Sequence, residues 1–167
     1  MSMQNGITEE EKFIQIYDEL ADSIFRHCYF RIYNYERAKE LTQEAFTRAW
    51  EYIAKGKRID NLKAFIYRIA TNIIIDESRK KKAVSLDDLT ENGFEIKFSG
   101  DNNIIIHAEA KIFLKHLNKL KEKERTLIVM RYLDDLQPRE IAQILEKSEN
   151  SISVGINRAI KKLKKYV

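Results

Sequence analysis

A single proline in 167 residues, Pro138, is the feature that most restricts what this chain can become, and only five glycines accompany it. Proline breaks a helix by removing a backbone donor, glycine by adding backbone freedom. A chain so poor in both is predicted to be all-α, with short connections between helices. The apolar residues recur to match. Phe13, Ile16, Tyr17, Leu20, Ile24, Phe25 and Cys28 step by three and four, which marks one buried helix face. Thr8 stands before them as a cap, and Glu9, Glu10 and Glu11 follow it at the positive helix end. A second helix carries Leu41, Ala45, Phe46, Ala49, Trp50 and Ile53, and closes near Lys55 and Gly56. A third turns Leu62, Phe65, Ile66, Ile69 and Ile73 inward and ends in the basic run Arg79-Lys80-Lys81-Lys82.

The last third of the chain is the most specific. Leu136, Ile141, Ile144 and Leu145 fit one helix face. After the polar break Glu146-Lys147-Ser148-Glu149-Asn150, a second face appears at Ile152, Ile156, Ala159, Ile160 and Leu163. Two short helices joined by such a turn form the helix-turn-helix pattern, whose second helix lies in a DNA major groove. Gln137-Pro138-Arg139-Glu140 opens the first of them, with Pro138 in the first turn, where its missing N–H would be unpaired in any case. The second runs into Arg158, Lys161, Lys162, Lys164 and Lys165, cations suited to phosphates. Nucleic acid is therefore the first partner to consider.

Charge divides the chain. The formal net charge is +4, which permits nucleic-acid binding without requiring it. From Ala83 to Ala110 six acids face one lysine, and Gly93, Gly100 and the Asn102-Asn103 pair break any helical period. That stretch reads as a flexible acidic linker over 83–107, between a helical domain at 8–82 and a helix-turn-helix domain at 108–167. Both flanking units are basic and the tether is acidic.

Other chemistries find no support. Cys28 lies among Ile24, Phe25 and Phe30 as a buried, inert thiol, and one cysteine excludes an intrachain disulfide. His27, His107 and His116 have no cysteine or carboxylate set at metal spacing. There is no glycine-rich phosphate loop and no nucleophile–base–orienter set, so neither an enzyme nor a cofactor is expected. No apolar run approaches the ~20 residues that span a bilayer. Residues 1–11 lack the basic start and apolar core of a signal peptide. A reduced, cytoplasmic protein without membrane insertion is the simplest expectation.

Three segments then become specific together. Glu40-Leu-Thr-Gln-Glu-Ala-Phe-Thr-Arg-Ala-Trp50 comes first, and Ala64-Phe-Ile-Tyr-Arg-Ile-Ala-Thr-Asn72, with Asp76 and Arg79, second. The third spans Leu117–Leu163, with Leu120, Arg125, Arg131-Tyr132, Glu140-Ile-Ala142 and Asn157-Arg-Ala159. In order and separation the chain resembles a bacterial RNA polymerase sigma factor of the sigma-70 family, extracytoplasmic-function (ECF) type. The resemblance implies a sigma2-like helical bundle and a sigma4-like helix-turn-helix domain. It implies core RNA polymerase (largest-subunit clamp and flap) and promoter DNA as partners, and adds an anti-sigma factor to the candidates. The implied activity is promoter recognition and nucleation of DNA melting, with no covalent chemistry.

The resemblance also implies roles for residues. Glu40, Gln43, Glu44 and Arg48 would dock on the polymerase clamp, with Trp50 a core anchor. Arg68, Asn72, Asp76 and Arg79 share a helix face, and there Arg68, Asn72 and Arg79 would meet −10 DNA while Asp76 orients a neighbouring arginine. Lys57, Arg58 and Asn61, in the preceding loop, would help capture an unstacked base. In the major groove at the −35 element, Glu149, Asn150, Ser151, Ser153 and Asn157 would read bases, with Arg158, Lys161 and Lys162 on phosphates. Ser153 and Gly155 stand where the family commonly has a lysine and an arginine, which weakens the expected electrostatic attraction there. Lys121 replaces a proline often seen in the family. The acidic linker would thread through the polymerase, with Asp87, Asp88, Glu91 and Glu95 in basic channels. Two other readings stay open: a helix-turn-helix regulator that binds duplex DNA without polymerase, and a relative that binds polymerase but reads DNA weakly.

Overall fold

The computed structural model describes residues 6–85 and 108–167. Seven α-helices and one π-helical turn account for most of them. Helix α1 covers Glu9–Ile32, α2 Tyr35–Ala54 and α3 Leu62–Ser85. The second unit holds α4 (Ala108–Leu117), α5 (Glu122–Ile128), the π-helical turn Val129–Leu133, α6 (Pro138–Leu145) and α7 (Glu149–Lys164). Helix α3 thus continues three residues beyond Lys82. The acidic residues Asp87, Asp88, Glu91 and Glu95, and the channel contacts expected of them, lie outside the described residues.

The helix ends follow local chemistry. The Thr8 hydroxyl accepts from the Glu11 N–H at 3.1 Å, and Glu11 accepts from the Thr8 N–H at 2.8 Å, a reciprocal capping box. Asn34 and Ser148 cap α2 and α7 through the amides of Arg37 and Ser151. Gly56, at φ 75°, takes the left-handed conformation that turns the chain out of α2. Lys121 uses a backbone N–H that a proline would lack: it donates to Glu124 at 3.2 Å and caps α5. Arg125 secures the same corner from inside by donating to the carbonyls of Leu117, Asn118 and Leu120.

Helices α1, α2 and α3 pack as a bundle around Ile24, Leu41, Ala45, Ile66, Ala70 and Ile74. Arg37 ties α2 to α3 with two parallel hydrogen bonds to Glu77, at 2.9 and 2.8 Å. Trp50 is half-buried, its ring 5.2 Å from that of Phe13, and lies at the edge of the bundle rather than in its buried core. The buried stripe of α3 departs from expectation. Leu62, Phe65 and Ile69 remain half-buried, whereas Ala64, Tyr67, Ala70, Thr71 and Ile74 are buried with Ile66 and Ile73. The reason is that α3 is covered on two sides, by α1 and α2 and by α6. Phe13 and Ile16 are likewise half-buried and Tyr17 is exposed, although the Phe13 and Tyr17 rings both pack on Phe46 of α2.

The two units share one core. Met130, Leu136, Ile141, Ile144, Ile152 and Ile156 from the second unit join the cluster built on α1–α3. In return Tyr33, the left-handed residue ending α1, is buried among Leu114, Leu117, Leu120, Ile128 and Val129. Truncating Ile66, which has no solvent exposure, to alanine is expected to destabilise the protein by about 2–5 kcal/mol, because a buried cavity replaces close-packed methylenes. Urea unfolding checks this through a lowered midpoint at unchanged slope.

Candidate nucleic-acid interface

The helix-turn-helix is made by α6 and α7. A capping bond from the Gln137 N–H to Glu140 at 2.8 Å starts α6 over Pro138. Glu146, at φ 54°, ends it in the left-handed conformation, and Ser148 restarts the chain as α7. Ile152, Ile156 and Ala159 anchor α7 inward. Its opposite side leaves Glu149, Asn150, Ser151, Asn157, Arg158 and Lys161 exposed, with Ser153 half-buried beside them. Lys162 is engaged by Glu124 of α5, whose carboxyl that contact, first among several, holds below its usual range.

Gly155 has a structural reason. A Cβ at this position would lie 2.7 Å from Cδ1 of Leu127 on α5, so a larger residue here requires that side chain to shift. A longer side chain at this position would start out toward α5.

On α2, Ala38, Leu41, Ala45, Phe46 and Ala49 are buried. Glu40, Gln43 and Arg48 are exposed on the other side, with Glu44 half-buried and paired to Arg48 at 2.5 Å. Glu40 accepts from Arg37 at 2.7 Å. The four residues form one polar stripe.

The loop 57–61 and α3 bound a cleft of about 410 Å³, lined by Tyr52, Arg58, Asn61, Phe65, Arg68 and others. Tyr52 and Phe65 present aromatic faces, their rings 4.9 Å apart, and the Lys57 ammonium sits 4.7 Å over the Tyr52 ring. Aromatic faces flanked by cations suit a stacked base. The sequence reading had placed Phe65 in the core and omitted Tyr52; an aromatic residue beside a basic loop was the available signal. Asn72 and Arg79 are exposed further along α3. Asp76 is also exposed, and among the described residues it forms no ion pair with Arg68 or Arg79. The arginine-orienting acid on this helix is Glu77.

Gln143 of α6 lines the same cleft, so one wall belongs to the second unit. Arg68 and Asn61 are bonded to that wall rather than left open to solvent. A second cleft, of about 540 Å³, lies between α3, α5 and α7 and is lined by Thr71, Ile75, Asn150, Ser151, Arg158 and others. Part of the expected −35 surface therefore faces α3.

Sequence reasoning missed a fully buried polar cluster on α1. His27 Nδ1 lies 2.6 Å from Asp134 Oδ2, and its Nε2 lies 3.1 Å from the Thr71 hydroxyl. The signal was His27 and Arg31 interrupting an otherwise apolar stripe. Cys28, beside them, is fully buried, and burial pushes its thiol up to about 11, as befits an inert core residue. Among the described residues no group of His, Cys, Asp or Glu is placed to hold a metal, and no helix is long and apolar enough to cross a membrane.

A three-helix bundle with a polar stripe, followed by a helix-turn-helix unit with a basic last helix, defines a DNA-binding transcription protein. Residues 16–84 match the family model of Sigma-70 region 2, and residues 111–163 that of Sigma-70, region 4. The chain belongs to the sigma-70 family of RNA polymerase sigma factors, in its ECF group, and acts in transcription initiation. Over 95% of its length it is 31% identical to the ECF RNA polymerase sigma factor SigW of Bacillus subtilis, and spans 90% of that protein. The fold is similar to that of the sigma factor RpoE of Bartonella quintana, solved in complex with the anti-sigma factor NepR. The TM-score there is 0.73 at 19% identity, over 93% of this chain and 96% of that one. It is also similar to CnrH, solved with the cytosolic domain of CnrY, at a TM-score of 0.68 and 19% identity, over 93% and 87% of the two chains.

Proposed function

We propose that the chain divides the work of a sigma factor among three surfaces, within domains at 8–82 and 108–167 joined by the linker 83–107. The polar stripe of α2 (Glu40, Gln43, Glu44 and Arg48) docks on the clamp of the largest polymerase subunit. The loop 57–61 with α3 (Lys57, Arg58, Asn61, Arg68, Asn72 and Arg79) receives the −10 element and an unstacked base. Helix α7 reads the −35 element with Glu149, Asn150, Ser151, Ser153 and Asn157, while Arg158, Lys161 and Lys162 meet phosphates. The protein works in the cytoplasm by binding energy alone and catalyses no bond change. An anti-sigma factor is a fitting partner, since RpoE and CnrH are both described bound to other proteins.

The observation that carries this reading is the aromatic, cation-edged cleft at Tyr52, Lys57, Arg58 and Phe65, directly beneath the arginine edge of α3. A pocket of stacking faces and cations recovers the few kcal/mol spent in unstacking a base. In vitro transcription of a fragmented genomic library, with core polymerase from the same organism, tests it. Protein-dependent transcripts sharing an upstream motif are expected. Binding to core without transcripts would instead favour the weakly reading relative, and no binding to core would refute the division of surfaces.

A further inference from the structure

Part of the surface assigned above to −10 DNA, at Asn61 and Arg68, is already occupied, while Asn72 and Arg79 further along α3 stay exposed. Arg68 donates to the carbonyls of Gln143 and Ile144 at 2.8 and 3.0 Å and pairs with Glu146 at 3.0 Å. Asn61 donates to the Gln143 side chain at 2.9 Å, and Lys63 meets Glu140 at 2.9 Å. Every acceptor belongs to α6 or to the residue that ends it. The last carbonyls of a helix carry its partial negative charge, and Glu140 and Glu146 add formal charge. Helix α6 therefore offers α3 what a DNA backbone offers, anionic oxygen at hydrogen-bond distance. Arg68 cannot serve both partners with the same donors.

These pairs are partly exposed and individually weak. The His27–Asp134 contact differs, because both side chains have no solvent exposure. The Thr71 hydroxyl gives its hydrogen to the Tyr67 carbonyl at 2.7 Å, so it accepts from the His27 Nε2–H. Nδ1 then faces a carboxylate oxygen at 2.6 Å with a proton between them, a charge-assisted bond. The π-helical turn makes this reach possible. Its wider loop, closed by the Asp134 N–H on the Val129 carbonyl at 2.9 Å, leads the chain back toward α1 at Asp134.

We propose that α6 and the π-helical turn form an intramolecular plug over the nucleic-acid face of α3, latched by the His27–Asp134 pair. The plug rests on the assignment of α3 to −10 DNA; the latch does not. The interface also carries what opposes closure. Both terminal nitrogens of Arg31, Oδ1 of Asp134 and Oε1 of Glu122 are buried without a hydrogen-bond partner among the described residues. Burial first, and the like charge of Arg125 after it, drive the Arg31 guanidinium down to about 10 against the pull of Glu122 and Asp134. Separation of the units returns these groups to water, so the closed form contains its own release.

The test is energy transfer in the full chain, between dyes on Lys55→Cys and Lys147→Cys, two exposed sites on opposite sides of the interface; buried Cys28 does not label. Asp134→Ala is expected to shift the closed-to-open ratio about tenfold toward open, as a buried imidazole loses its charged partner. Asp134→Asn, whose amide can donate to a neutral Nδ1 but supplies no charge, is expected to fall between wild type and Asp134→Ala. Wild-type transfer in Asp134→Ala would overturn the latch. If that variant loses helical circular dichroism, the exposed pair decides. Lys63→Glu opens the protein and Lys63→Glu with Glu140→Lys closes it again, whereas no recovery in the double variant overturns the proposal. Transcription at limiting core polymerase, measured on the same samples, separates the two readings. An opened Asp134→Ala protein that transcribes more than wild type supports the plug, and one that does not overturns the assignment of this face to DNA.

Discussion

Arg68→Glu is expected to lower promoter opening about 10- to 100-fold while leaving affinity for core polymerase within about twofold; hydrogen bonds to charged groups contribute about 1.5–3 kcal/mol. The guanidinium sits in the wall of the Tyr52–Phe65 cleft, one-third exposed, with all its donors on its anionic side. Glutamate there meets phosphate with the wrong sign. It also faces Glu146 and the carbonyls of Gln143 and Ile144, so the variant opens the two units in the same step. A protein that opens more readily yet melts promoters less well separates the two roles of this side chain. Permanganate footprinting of the melted region measures the first quantity and titration with labelled core the second. Equal loss of both would refute the division of labour between α2 and α3.

Glu44→Lys is expected to do the reverse, weakening core binding at least ~10-fold, because like charges brought together at an interface cost several kcal/mol. The fold should tolerate it. Among the described residues Glu44 pairs with Arg48 one turn on, and such pairs contribute about 0.3–0.5 kcal/mol. The buried side of α2, from Ala38 to Ala49, is untouched. Fluorescence anisotropy of the labelled variant against core polymerase reads the effect directly. An unaltered dissociation constant would remove the polar stripe of α2 from the docking surface.

Much of the local structure was legible because it depends on neighbours in the chain. Thr8 with Glu11, Gly56 after α2, Pro138 in the first turn of α6 and Ser148 before α7 all act within four residues of themselves. The helix-turn-helix could be read from Ile141, Ile144, Ile152 and Ile156, whose spacing encodes one face per helix. The three segments that carry the family resemblance could be read in order, since the family's residue strings survive in them. Gly155 was harder. Helix propensity marks it as a cost, and only the position of Leu127 explains it.

The sequence by itself determined the helices, their caps, the family and the polar residues carried by each helix, because these follow from spacing and from side-chain chemistry over one or two turns. Which of those polar residues meet solvent was decided by tertiary structure alone. Arg68 and Asn61 lie 75 or more residues from the α6 groups they bind, and His27 lies 107 residues from Asp134. No helical period encodes such a separation. The contact that the π-helical turn makes through Asp134, and those that α6 makes with Lys63 and Arg68 of α3, arise only when the two units pack. A hydrogen-bonding group takes whichever partner the packed chain brings within about 3 Å.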